Sequence, residues 1–132
     1  MPAADEAWND TALAALLQRY DVFVNLHKDR RTRSGRAAAL ESFRNSLLLS
    51  ARKLVISERA HARDESEYDG MVVFSDDIAS DYYRLVDDMH AGSVARMLIR
   101  SSAKFRERFA PVELFRRAGI YHAWGLKEDA GR

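Results

Sequence analysis

The chain contains no cysteine, which excludes disulfide bridges and thiolate metal ligands and suits a reducing compartment. Two prolines, Pro2 and Pro111, are all that interrupt 132 residues, so helices can run long. The six glycines fall mostly where helices should stop. No apolar run approaches the ~20 residues needed to span a bilayer. The opening Met-Pro-Ala-Ala-Asp-Glu has neither the basic nor the apolar stretch of a secretory signal. A cytoplasmic protein without a membrane partner is therefore expected. Gly-rich phosphate loops, a Gly-x-Ser-x-Gly elbow and His-Glu-x-x-His are all absent, which removes the common nucleotide, hydrolase and zinc-protease signatures. No metal and no cofactor are expected.

What the chain does have is charge sorted into blocks, although its net charge is only +1. Residues 1–27 sum to −3, residues 28–63 to +7, residues 64–90 to −8 and residues 91–117 to +5, with a neutral tail. Neighbouring blocks of opposite sign can neutralise one another in a compact fold or be displayed to partners. Four of the 21 basic residues, Lys28, Lys53, Lys104 and Lys127, are lysine and the other seventeen are arginine. The arginine fork suits bidentate contact with phosphate.

Alanine, leucine, arginine and glutamate are abundant, all good helix formers, and the apolar spacing is helical nearly throughout. A first helix is predicted over about 5–28. Trp8, Ala12, Leu13, Leu17, Tyr20, Phe23, Val24 and Leu26 cover more than half its circumference, as on a helix packed on several sides. A second, the longest, is predicted over about 36–63, with Leu40, Phe43, Leu47, Ala51, Leu54, Val55 and Ala62 as its core stripe. Leu49 and Ile56 fall on its far side, either because this helix is central, because it forms a dimer seam, or as isolated surface residues. Residues 64–75 read as an acidic loop whose 71–74 stretch plugs the end of the bundle rather than joining a sheet. Ser75, Asp76 and Asp77 start a third helix, which stops at Ala91-Gly92. Ser93 is expected to cap a fourth, and Ala110-Pro111 ends it. Pro111 suits the first turn of a short fifth helix, broken at Gly119, and about 127–132 should fray. The predicted fold is all-α: a single-domain helical bundle of four long helices plus a short C-terminal fifth helix.

Two basic surfaces follow from that bundle. One joins Lys28, Arg30, Arg31, Arg33 and Arg36 to a stripe of Arg44, Arg52, Arg59 and Arg63 on the second helix, within about 100° of one another. The other is Arg96, Arg100, Lys104 and Arg108, an i, i+4 ridge on the fourth helix. Such stripes are a footprint of phosphate-backbone binding. The competing account is that the acidic 64–90 block covers them internally. On the third helix Asp77, Asp81 and Asp88 share a face with Arg84, which reads as a salt-bridged surface rather than a metal site. His27 reads as a satisfied core residue and His61 as an exposed one. Tyr82, Tyr83, Tyr121 and Trp124 fit packing or base stacking.

Arg84-Leu-Val-Asp-Asp-Met-His90, and Arg116 or Arg117 with His122, place an arginine five or six residues before a histidine. In this, and in length and predicted fold, the chain resembles the HEPN family of helical RNA-cleaving proteins. The resemblance implies a dimeric, metal-independent ribonuclease with Arg84 steadying the phosphate and His90 moving protons. Leu85 and Ala118 depart from the polar residue that usually follows the family's arginine. In composition the chain also looks like the small helical subunits of multi-subunit CRISPR effector complexes.

The function expected from the sequence is a non-catalytic helical interaction subunit. It would bind RNA or DNA backbone, or an acidic protein, as a homodimer or within a larger assembly. The alternatives are the ribonuclease and a protein-binding inhibitor, antitoxin or regulator that uses the acidic block.

Overall fold

The computed structural model describes residues 10–27, 40, 42–89 and 92–125. It overturns the all-α bundle. The element order is α1 (Asp10–Arg19), β1 (Val22–Asn25), α2 (Ser42–Ser50), β2 (Leu54–Glu58), α3 (Ala62–Glu67), β3 (Val73–Ser75), α4 (Ile78–Met89), α5 (Ser93–Arg108), α6 (Pro111–Arg117) and α7 (Ile120–Ala123). The strands form one sheet in the order β1-β2-β3. Both pairings are parallel, with Val22 opposite Leu54 and Ile56 opposite Val73.

The physical reason for the correction lies in the apolar runs. A strand of a parallel sheet is covered on both faces, so it reads as consecutive apolar residues. A short run of that kind cannot be told from a buried helix by periodicity. Phe23 and Val24 of β1 helped widen the arc of the predicted first helix, and Leu54-Val55-Ile56 lay inside the predicted second. Residues 64–75 were expected as a loop, yet they hold the end of α3 and all of β3. Leu49 and Ile56 are both fully buried core residues, so they form no dimer seam. Each lies on a different element, α2 and β2.

Helix α2 ends in a way that also hides from periodicity. Arg52 takes a left-handed φ of 59°, its N–H donates to Leu49 O at 3.1 Å and Lys53 N–H donates to Leu48 O at 2.9 Å. This is a Schellman closure with arginine where glycine is usual. It reverses the chain into β2, where Leu54 N–H meets Asp21 O at 2.9 Å. Lys53 Nζ reinforces the same junction at 2.9 Å from Asp21 Oδ1.

The sheet separates two cores. Val55 points to one, built with Leu48, Leu49, Tyr68, Met71, Val72 and Phe105. Leu54 and Ile56 point to the other, with Leu85 and Val94, and with Ile78, Met97 and Leu98 packed against it. Helix α5 therefore serves both cores, the second through its first turns and the first through Phe105. At that end Phe105 stacks on Phe109, and Phe109 on Tyr68, each pair with centroids 5.1 Å apart. The downstream helices agree with the sequence: α4, α5 and α6 begin and end close to the predicted serine, glycine and proline positions. Among the described residues no helix is long and apolar enough to cross a membrane.

Candidate functional site

The predicted arginine stripe of the second helix does not exist as one surface. Arg44 lies on α2, Arg52 in the turn, Arg59 beyond β2 and Arg63 on α3, because a strand interrupts the presumed helix. Lys28, Arg30, Arg31, Arg33 and Arg36 lie outside the described residues. The second predicted surface is intact as a helix face, since Arg96, Arg100, Lys104 and Arg108 all fall on α5.

The acidic block covers part of that face. Lys104 Nζ lies 3.3 Å from Asp69 Oδ2 and Arg108 Nη2 lies 2.9 Å from Glu67 Oε2. Glu67 holds a second cation, Arg117 Nη2, at 2.6 Å from Oε1. The hydrogen bonds from Arg108 and then Arg117 hold the Glu67 carboxyl below the usual carboxylate range. The reciprocal bond raises Arg108 further. Gly70 lies beside the Lys104–Asp69 pair, and its left-handed φ of +70° is what calls for glycine there. Further along, Arg59 Nη2 pairs with Glu65 Oε2 at 2.6 Å.

Arg96 and Arg100 differ. Both are exposed, and no carboxylate lies within ion-pairing distance of either among the described residues. Ile99, between them, is 65% exposed. On neighbouring α4, which packs against α5, Tyr83 is 69% exposed.

A polar edge that sequence reasoning missed lies where the strands end, the side on which open parallel sheets often take ligands. Asn25 Nδ2 donates to Ser57 Oγ at 3.0 Å, and Ser57 Oγ donates to Glu58 O at 2.9 Å. His27 N–H donates to Glu58 Oε2 at 2.7 Å, and its Nε2 lies 3.0 Å from Arg59 O. Ser75 Oγ donates to Asp81 Oδ2 at 2.6 Å and accepts from Asp77 N–H at 3.0 Å. Glu58, Glu65 and Asp81 thus already accept from donors of this chain, while the buried Asn25 Oδ1 has no hydrogen-bond partner among the described residues. Among the described residues no group of three His, Asp or Glu could hold a metal ion. Without predicted strands this edge had no place in the sequence reading. Its signal was the polar residue ending each apolar run, Asn25, Ser57 and Ser75.

Several of the remaining candidates have local partners. Arg84 Nη2 pairs with Asp81 Oδ1 at 2.6 Å, the salt-bridged face expected, while Asp77 Oδ1 accepts from Ser80 N–H at 3.1 Å. His90 lies outside the described residues. The parallel sheet removes the all-α likeness on which the HEPN and CRISPR-subunit resemblances partly stood. Arg116 pairs with Glu113, and His122 is exposed on α7. His61 is exposed and accepts Arg63 N–H on Nδ1 at 3.2 Å, capping α3. No protein-family model, curated protein or solved structure matches this chain.

Proposed function

We propose that the chain is a non-catalytic contact domain that lays the open part of α5 along a nucleic-acid phosphate backbone. The observation that carries this is the pair Arg96 and Arg100, one helical turn apart, exposed and without a carboxylate partner among the described residues. Unpaired guanidinium groups keep their full donor set for phosphate oxygens. Backbone contacts of this kind provide affinity without base specificity. The exposed Tyr83 on α4 offers a stacking surface for an unpaired base.

The test is fluorescence anisotropy with labelled single- and double-stranded RNA and DNA at low and moderate salt, each sample then run on a denaturing gel. Salt-sensitive binding with intact strands is expected. Arg96→Ala with Arg100→Ala should reduce the slope of log affinity against log salt by about two. No binding, or binding unchanged in the double variant, overturns the interface, and cut RNA overturns the non-catalytic reading.

A further inference from the structure

We infer that α6 and α7 form a detachable arm, held to the sheet-bearing body by a latch at Glu67. Both helices pack on the molecule without burying a residue, and Val112, Leu114, Phe115 and Trp124 are all exposed. A segment with so little buried apolar area lies at the low end of local stability.

The arm is organised within itself. Trp124 N–H donates to Ile120 O at 3.0 Å, and Ala118 N–H donates to Leu114 O at 2.9 Å. Phe115 and Tyr121 join the two helices edge to face at 6.3 Å, and Arg116 pairs with Glu113 inside α6. Its junction with α5 is a natural hinge. Phe109 N–H closes α5 onto Phe105 O at 2.9 Å. Ala110 is extended, with φ −56° and ψ 140°, and Pro111 follows. Proline has no N–H to carry the α5 ladder across, so rotation at Ala110 leaves both helices intact.

The latch is one carboxylate shared between the two parts. Glu67 Oε2 is held by Arg108 of α5, and Oε1 by Arg117 of α6. Arg108 keeps Glu67 compensated and oriented when Arg117 leaves, so opening strands no unpaired carboxylate. The Arg117 side chain is 41% exposed, and ion pairs at such sites are weak and salt-sensitive. The arm opens on its own, well before the body unfolds.

Hydrogen exchange on the full chain, without nucleic acid, separates this from the proposed interface. In Arg117→Ala the amides of Ala118, Ala123 and Trp124 should exchange about two- to fivefold faster than in the unmodified chain. Those of Val55 and Ile56 should keep their rates. Added salt should move the unmodified chain the same way. Arm amides already unprotected in the unmodified chain, or unchanged in Arg117→Ala, would overturn the latch. Acceleration of arm and β2 together would overturn the independence of the arm.

Discussion

The first two turns and the last two turns of α5 carry cations at the same four-residue spacing, yet they meet different surroundings. Lys104 and Arg108 sit beside Asp69 and Glu67, which follow and end α3. Arg96 and Arg100 sit on the stretch that packs Val94 and Met97 against the opposite core, with no carboxylate in reach among the described residues. Helical spacing places four cations in a row. What faces each one depends on which layer of the fold that turn touches.

The largest test breaks the packed end. Phe105 is 9% exposed within the aromatic stack, so Phe105→Ala should cost about 3–5 kcal/mol in denaturant unfolding. Ile99→Ala, on the open stretch, should stay within about 0.5 kcal/mol. A smaller contrast compares cations on the same helix. Losing Arg96 and Arg100 should weaken nucleic-acid binding about tenfold or more at moderate salt. Lys104→Ala, already paired with Asp69, should weaken it much less in the same anisotropy titration.

Arg52 sharpens the comparison from off the helix. Its left-handed φ of 59° carries a steric cost that glycine does not. Arg52→Gly should raise unfolding stability by about 1 kcal/mol and leave binding unchanged.

The smallest effect follows pH. The folded pKa of Glu67 lies below its ordinary value, so its contribution is complete above the usual carboxylate range. It is lost as pH falls through the depressed folded value. The gap in thermal midpoint between the unmodified chain and Glu67→Gln should therefore be present at pH 7 and shrink in acid below about pH 4.

Much of the second half was legible. Pro111 opens α6 and Gly119 separates α6 from α7, because backbone restriction acts over a few residues. Helix α5 does begin at Ser93, but its N-cap is Gly92 and no side chain caps it, since Ser93 Oγ donates to Asp88 O instead. The first half misled for an equally local reason: Leu54-Val55-Ile56 satisfies a buried strand and a buried helix alike. The α5 ridge was readable as a helix face, whereas its division into paired and open cations was not. Arg108 and Glu67 lie 41 residues apart, and Arg117 and Glu67 lie 50 apart. No spacing rule reaches that far.

The amino-acid order by itself determined where the later helices start and stop and which segments carry charge of each sign, since both depend on short-range chemistry. The tertiary structure decided that the apolar runs become strands, and which arginines meet a carboxylate. Burial on both faces and ion pairing are settled by segments that are distant in sequence and adjacent only once the sheet has formed.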